Sequence, residues 1–469
     1  MARFRGCLSL RSSLMRERTT RTLAFASALC AGAGGAVACG AIEPGQPATA
    51  VADAGASAED ADVSVVPVVD ARSNAVTTCG DGGRAGSVDV AFGDGGFTTF
   101  DAQTGGACVA VDSKGRIYVV AETNVRRFNA DGRLDVTYAL GAAGGAARPA
   151  CAVDAADRLL VIAGAALRRF DADGKPDTSF GTSGGVEVAT IFGGEILPDL
   201  IIRPLTSGTI IVAGTSVQHE LDATFHRPAL THLSASGAVL GQSVQSSGGR
   251  GQGALQDVDV DPVRGFVVAL ARRAYSSSGP FLAEYDFELA ARTDFAPAYP
   301  DEQLRYVRRR ADGKLLVVSD DVQSFRQLLP SGAADPTSPG DGGVGAIDIG
   351  LRTSPSVEFH DRTSMLALED DSWILVGNTY RESTWGATLV HFGEDGSLDA
   401  TFGDPSTSTY PGRALVQLGS DGDGGALHTE FRGAALDHRS VIVVAALLAP
   451  TATGDFAYTQ RWAVVRVCR

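Results

Sequence analysis

The sequence is poor in the patterns that build metal centres. Its seven cysteines include no CxxC pair and no cysteine–histidine cluster, which leaves a zinc site without support. The seven histidines are scattered, and the nearest together, His219, His226 and His232, share neither one helical face nor a ligand spacing. We interpret these three as loop or surface residues.

Positive charge is also scarce. The chain has 40 Lys and Arg against 55 Asp and Glu, a formal net charge of −15, so a nucleic acid is not the expected partner. Its basic clusters are Arg272 with Arg273, and Arg308 with Arg309 and Arg310, which we interpret as ion-paired or solvated faces of an acidic domain. Methionine (3) and tryptophan (3) are rare and glycine (57) is abundant, which is typical of a turn-rich soluble protein.

Helical patterns and common catalytic motifs are missing as well. No stretch after Val88 combines helical periodicity with caps, and no GxSxG elbow stands between a strand and a helix. The sequences GDGG at Asp94 and DGDGG at Asp421 lack the helix that a phosphate cradle needs, so we interpret both as turns.

The first 38 residues have the layout of a secretory signal peptide. A basic stretch precedes the apolar run LAFASALCAGAGGAVA (residues 23–38), which is too short and too rich in glycine for a membrane span. The small residues before Cys39 fit either a plain cleavage site or a lipobox in which Ala36 replaces the usual leucine.

We therefore predict an exported cell-envelope lipoprotein, at the outer membrane or the cell surface, with a lipid on Cys39 as its one membrane contact. A secreted protein released by a plain cut is the alternative. We predict that translation starts at Met1 or at Met15. Residues 39–86 contain mainly Ala, Asp, Pro and Gly, which cannot bury enough apolar surface to fold, so we predict a disordered acidic tether.

Four cysteines remain beyond the leader and Cys39, namely Cys79, Cys108, Cys151 and Cys468. An even number in an exported chain predicts two disulfides, with three connectivities open. A bond between Cys79 and Cys468 would join the two ends of the folded domain.

Residues 87–469 contain seven short aliphatic runs spaced 42 to 68 residues apart, a spacing typical of propellers and solenoids. Their lack of polar alternation predicts strands buried on both faces. A second, alternating strand follows each run, and in most units a turn such as NADG, DADG or GEDG comes next and reverses the chain. The runs are residues 116–121, 158–163, 209–214, 265–270, 314–319, 372–377 and 440–445.

Two hairpins per unit predict seven blades of four antiparallel strands. The last unit ends at Arg469 without a fourth strand, and a spare segment, residues 88–100, precedes the first complete unit. Pairing these ends would remove two open sheet edges, whereas a solenoid needs capping repeats that we do not find. We predict an all-β, seven-bladed propeller closed by its amino-terminal strand, with six or eight blades as alternatives.

The repeats carry a recurring phrase, seen in LRRFDADGKPDTSFGTSGG (residues 167–185) and LVHFGEDGSLDATFGDPS (residues 389–406). An aliphatic strand followed by an ADG-x-LD-x-SFG-x-GG tail resembles the delta-60 repeat family, most closely in the first, second and sixth units. The resemblance implies a propeller-like extracytoplasmic protein. It implies no activity, substrate or site residues.

Acidic side chains recur in the turns. Asp171, Asp173 and Asp177 have spacings that calcium could use, and the same pattern returns at Asn129, Asp131 and Asp135 and at Glu394, Asp395 and Asp399. No closing bidentate glutamate follows, and hairpin turns favour the same residues. We interpret them as turn residues, with calcium as the alternative and no other cofactor.

No catalytic motif stands out, so we favour a non-catalytic binding or scaffold module. It would be a monomer whose loops and central channel meet a protein, peptide or glycan. Aromatic loop residues would support this reading; the candidates are Tyr275, Phe295, Tyr299 and Trp385. The alternative is a hydrolase or lyase with carboxylates at the central pocket, because fold alone does not decide function.

Overall fold

The computed structural model describes residue 79 and residues 84–102, 107–121, 124–138, 149–197, 199–220, 223–244, 253–273, 281–297, 304–319, 324–338, 344–346, 363–381, 384–403, 412–418, 427–450 and 456–469. They belong to the second of two compact units, Asp62–Arg469. Outside these residues lie the predicted signal peptide (1–38), Cys39, and the predicted tether (39–86) except residues 79 and 84–86.

Within the described residues the chain forms seven separate sheets, which we number as blades in chain order, and all strand pairs inside them are antiparallel. The strands are β1 (Phe97–Asp101) of blade seven; β2 (Ala107–Val111), β3 (Ile117–Ala121) and β4 (Asn124–Phe128) of blade one; β5 (Ala150–Val153), β6 (Leu159–Ala163), β7 (Ala166–Phe170) and β8 (Gly185–Glu187) of blade two; β9 (Glu195–Ile196), β10 (Ile201–Pro204), β11 (Ile210–Glu220), β12 (Ala223–Leu233) and β13 (Val239–Val244) of blade three; β14 (Gly253–Asp261), β15 (Phe266–Arg273) and β16 (Phe281–Asp286) of blade four; β17 (Leu304–Arg309), β18 (Leu315–Ser319), β19 (Ser324–Leu328) and β20 (Val344–Ala346) of blade five; β21 (Ser364–Ala367), β22 (Trp373–Arg381), β23 (Thr384–Phe392) and β24 (Arg413–Val416) of blade six; and β25 (His428–Asp437), β26 (Ser440–Pro450) and β27 (Phe456–Cys468), which complete blade seven.

The fold is therefore a seven-bladed β-propeller, as the spacing of the aliphatic runs predicts. Each run is the second strand of a blade and each companion is the third. Five blades have at least four strands. Blades one and four have three within the described residues, and the segments that follow their third strands include residues 139–148 and 298–303, which lie outside them.

The second strands are buried on both faces because each face packs against a different blade. In β3, Ile117 and Val119 contact blade seven, whereas Tyr118 and Val120 contact blade two. Seven such hydrophobic clusters occur, one at each junction between consecutive blades, including the junction between blades seven and one. A linear array of seven units would have only six junctions, so the core itself shows that the ring is closed.

Strand β1 completes blade seven, as the spare segment predicts. It pairs antiparallel with β27, with Phe97 opposite Val465 and Phe100 opposite Trp462. Val88 also forms a bridge with Val467. The amino-terminal segment therefore covers residues 461–467 of the outer edge of β27.

The two ends of the propeller meet in a turn. In blade one the turn after the third strand is continuous, and the N–H of Gly132 donates to the carbonyl of Asn129 at 2.8 Å. In blade seven the same turn is built from two segments, because the N–H of Gly86 donates to the carbonyl of Cys468 at 2.7 Å. A disulfide joins Cys468 to Cys79 and thereby bridges the cut, and a second disulfide joins Cys108 to Cys151. The Cys79–Cys468 pairing is the one that the positions of the cysteines suggest.

One short helix departs from the expectation that no helix follows Val88. Helix α1 (Val188–Phe192) ends at Gly193, which has a φ of 68°, and buries Val188, Ile191 and Phe192 between blades two and three. Five residues are too few for a periodic pattern to appear in the sequence. No helix within the described residues is long and apolar enough to cross a membrane.

Candidate functional site

The acidic residues proposed for calcium lie in and after the turn that follows β7. One carboxylate oxygen of Asp171 accepts the N–H groups of Asp173 and Lys175, both at 2.9 Å. Asp177 instead accepts hydrogen bonds from Arg169 and Ser179. Asp173 points to solvent, with 78% of its side chain exposed. These contacts are those of a hairpin turn, and the described part of the chain contains no group of three His, Cys, Asp or Glu placed to hold a metal.

Asp177 belongs to a set of three positions that recurs around the ring, which we call the tier. The tier comprises the first residue of the second strand or the residue just before it, the residue one or two positions before the end of the third strand, and the residue whose N–H donates back to that third-strand residue at 2.8 to 3.0 Å. In blade three we assign only the first two positions, Thr209 and His232, because a bulge interrupts the β12–β13 pairing there. The others are Arg116, Arg127 and Asp135 in blade one; Arg158, Arg169 and Asp177 in blade two; Phe266, Glu284 and Arg292 in blade four; Lys314, Gln327 and Asp335 in blade five; Ser372, His391 and Asp399 in blade six; and Ser440, Arg466 and Asp89 in blade seven.

Opposite charges face each other in the tier. In blade two, Arg169 Nε lies 2.8 Å from Asp177, and the Arg169 side chain is 1% exposed. Burial alone would raise the pKa of Asp177, but the hydrogen bonds from Ser179 and Arg169 lower it. Blade four reverses the charges, with Glu284 on the third strand and Arg292 after the turn. The ion pair is thus present in both orders, with the arginine on the third strand in blade two and after the turn in blade four.

Third-strand tier residues also bind the neighbouring blade. Arg169 donates to the carbonyl of Ala235 at 2.7 Å, and His232 Nδ1 lies 2.7 Å from the carbonyl of Phe287. Gln327 donates to the carbonyl of Glu394 at 3.1 Å. In each case the acceptor is the second residue of the next blade's turn. The tier therefore fastens adjacent blades to one another.

In blade six the tier forms a Ser–His–Asp relay. His391 Nδ1 lies 2.8 Å from Asp399, and His391 Nε2 lies 3.0 Å from the Ser372 hydroxyl. A hydrolytic triad needs an accessible serine whose proton is taken by the histidine. Ser372 is instead 5% exposed and donates its hydroxyl proton to Asp370 at 2.6 Å. Since other blades use the same three positions for ion pairs, we assign this relay a structural role.

The cluster of three arginines on and after β17 is ion-paired. Arg308 pairs with Asp257 and Arg309 with Glu284, while Arg310 contacts Glu394 at 2.6 Å. This agrees with the interpretation of the cluster as an ion-paired face. First strands of neighbouring blades contact one another around the axis, so the Arg308–Asp257 pair lies in the innermost layer.

Other sequence candidates are dispersed. His219 is an exposed neighbour of Glu195 at 3.2 Å, whereas His232 is buried in the tier, so its interpretation as a loop or surface residue is wrong. Phe295 is 8% exposed and packs at the junction of blades four and five, so it does not line a loop. Tyr275 and Tyr299 lie outside the described residues, and so do the side chains of Trp385, Arg272 and Arg273.

A groove of about 610 Å³ lies at the outer edge of blade two. Its walls are β7, the glycine-rich turn 181–184 with β8, and the turn that follows β12 of blade three. Arg168 lines it with an exposed side chain. Arg168 has neither an acidic partner nor a hydrogen bond in the described structure, whereas the third-strand arginines Arg126, Arg127, Arg169 and Arg466 each have a hydrogen bond.

Sequence reasoning missed this groove and treated its loop, SFGTSGG, only as part of a repeat tail. A signal was present, because the RRF phrase places two arginines side by side on a strand, and alternation requires them to face opposite sides. Arg169 points into the tier and Arg168 into the groove. The RRF sequence does not show which of the two arginines has no partner.

Neither a protein-family profile nor a curated protein matches this chain. Solved structures similar to it include a gluconolactonase from Xanthomonas campestris (14% identity, 82% of this chain and 94% of that chain, TM-score 0.34). A virginiamycin B lyase from Staphylococcus aureus is similar at 10% identity over 79% of this chain and 99% of that one (TM-score 0.38). A Bacteroides caccae protein of unknown function is similar at 11% identity over 68% and 99% (TM-score 0.34). At such values no function is transferred.

Proposed function

We propose that this chain is a non-catalytic binding module, a rigid ring that presents a ligand groove on blade two. The observation that carries the proposal is the free Arg168 guanidinium beside the groove of about 610 Å³. Ligand sites are concave, mostly preformed and equipped with a few directed polar groups. The ligand classes are a protein, a peptide or a glycan.

The rest of the ring supports a scaffold role. Hydrophobic clusters fill all seven junctions between blades, and the tier adds hydrogen bonds across them. Two disulfides add covalent constraint. A site on such a frame is held in one geometry, which lowers the entropy lost on binding.

The alternative, a hydrolase or lyase with carboxylates at the central pocket, has less support. Each described carboxylate of the innermost strands contacts an arginine: Asp257 pairs with Arg308, Asp261 with Arg309, Glu430 with Arg432 and Asp437 with Arg466, while Asp259 accepts the backbone N–H of Arg309. A general acid or base needs a carboxylate that can exchange protons with a substrate, and these carboxylates are committed to arginines.

The test compares the mature protein with Gly185→Phe on a panel of glycans and peptides. Gly185 begins β8 in the wall of the groove, and a Cβ there would meet atoms no closer than 3.4 Å, so a side chain is tolerated. We expect a ligand that binds the wild type and is lost in the variant, with unchanged circular dichroism. If the two proteins bind every panel member equally, the groove is not the site.

The exported state belongs to the same proposal. We propose that the repeats are of the delta-60 type and that Cys39, which lies outside the described residues, carries a lipid that holds the propeller at the cell envelope. Growth with an alkyne-labelled fatty acid should label the wild type and leave Cys39→Ala unlabelled and released into the medium. Equal labelling of both proteins would exclude lipidation at Cys39.

A further inference from the structure

The groove on blade two exists because a side chain used elsewhere in the ring is missing there. Gly185 stands opposite Arg168 in blade two, and the equivalent pair in blade seven is Phe97 opposite Val465. Phe97 is 6% exposed and packs in the hydrophobic cluster between blades six and seven. Blade two replaces this apolar pair with a glycine and an arginine, which leaves an open, charged groove where blade seven has a filled one.

Donors for an anion line this groove. Arg168 contributes an exposed guanidinium. Ser183 and Gly184 follow one another with φ values of 55° and 88°, and their N–H groups have no hydrogen-bond partner in the described part of the chain. In blade seven the residue equivalent to Gly184 is Gly96, whose N–H donates to the carbonyl of Phe92 at 2.8 Å. Free successive N–H groups in a turn beside an arginine form a site for a carboxylate or phosphate group.

The remaining lining favours a hydroxylated ligand. Thr182, Ser183 and Thr190 are exposed lining residues that carry hydroxyl groups, and the exposed lining residue Glu187 carries a carboxylate that can accept hydrogen bonds from alcohols. A volume of about 610 Å³ is far larger than a lone phosphate requires and lies in the range of small-molecule sites.

A peptide fits less well. Peptides usually join an edge strand through its outward backbone groups. In β8 the outward groups of Gly185 are already used, because its carbonyl accepts from Thr182 at 2.8 Å and its N–H donates to Thr182 at 3.2 Å. Only Glu187 of this three-residue strand keeps outward backbone groups, which is too little for strand addition.

We propose that the groove binds acidic saccharides, with the carboxylate of a uronic acid unit held by Arg168 and by the N–H groups of Ser183 and Gly184. The inference rests on the proposed binding function and narrows its ligand class. The sugar hydroxyls then contact the threonine and serine hydroxyls and Glu187.

Isothermal titration of the mature protein with digalacturonic acid, its methyl ester and inorganic phosphate tests the proposal. Digalacturonic acid should bind at least tenfold tighter than the neutral ester, because a hydrogen bond to a charged group is lost in the ester. Arg168→Gln should weaken binding of the acid by about 10- to 100-fold. Lys175→Gln removes the same charge from a side chain on this blade that is 76% exposed and outside the groove, and it should change binding less than twofold.

Gly185→Phe should abolish binding of the acid, and Gly185→Val serves if the phenylalanine variant fails to fold. Selective 15N labelling of serine and glycine should show the Ser183 and Gly184 amide signals moving on titration. Equal affinity for acid and ester, binding that survives Arg168→Gln, or phosphate binding as tightly as the acid would overturn the proposal. If a peptide or a neutral glycan binds and is lost in the Gly185 variants, the acidic-saccharide inference fails while the binding function stands.

Discussion

Replacing Arg169 by methionine removes the most buried arginine of the tier, and the neighbouring Arg168 supplies a matched control. Arg169 pairs with Asp177 at 2.8 Å, donates to the carbonyl of Ala235 at 2.7 Å and stacks 4.5 Å from the Phe180 ring centroid. Breaking a buried pair by removing one partner costs roughly 3–5 kcal/mol. Because Asp177 keeps 15% of its side-chain exposure, we expect the lower end, about 3 kcal/mol.

That loss should lower the melting temperature by about 4 °C, since unfolding entropy is about 2.1 cal/mol/K per residue and the propeller spans residues 87–469. Arg168→Met removes the same charge from the adjacent position, yet it breaks no ion pair or hydrogen bond in the described structure. It should change the free energy of unfolding by no more than about 0.5 kcal/mol. Circular dichroism during heating and urea titration measures both.

A double-mutant cycle with Asp177→Asn separates pairing from general packing. If Arg169 acts through Asp177, the two substitutions together should cost less than the sum of each alone, with a coupling of about 1–3 kcal/mol. Equal losses for the two arginines, or strictly additive effects in the cycle, would refute the assignment of Arg169 to an interblade fastening.

Two further predictions concern the ring and its charges. Removing the ring-closing disulfide with Cys79→Ala and Cys468→Ala should destabilise the protein more than removing the Cys108–Cys151 bond. The upper limits are about 6 and about 4 kcal/mol, because the first bond closes a loop of 389 residues and the second a loop of 43. A smaller drop in melting temperature for the first pair would contradict this. Hydrogen bonds from Thr337 and Lys314 hold the pKa of Asp335 at about 2, so its stabilisation of about 2 kcal/mol is present above pH 4 and lost as the pH falls through about 2. Asp335→Asn should flatten the decline in unfolding midpoint between pH 5 and pH 2, and an unchanged decline would show that other groups cause it.

The architecture was accessible from the sequence because it depends on local patterns that repeat. Aliphatic runs without polar alternation mark strands with two buried faces, and the seven runs correspond to β3, β6, β11, β15, β18, β22 and β26. The unfinished last unit and the spare first segment predict the pairing of β1 with β27. Helix α1 escapes the same reasoning because five residues show no period.

The candidate site was much less accessible. The aspartates of the ADG-x-LD tails look alike in sequence, yet Asp171 closes a turn and Asp177 pairs with an arginine from the preceding strand. In the Ser–His–Asp relay of blade six, Ser372 lies just before β22, His391 lies in β23 and Asp399 follows the next turn. Motif searches find neither arrangement, because spacing along the chain does not state which side chains the register brings together.

By itself the sequence determined the number of blades, the closing strand and the positions of the turns, because these follow from the order of apolar and turn residues along the chain. Only the tertiary structure decided that Arg169 is buried while Arg168 is free, and that Gly185 opens a groove at the place that Phe97 fills in blade seven. The physical reason is that neighbouring strands and blades, distant in sequence, supply the partners that make one side chain part of the core and leave another available to a ligand.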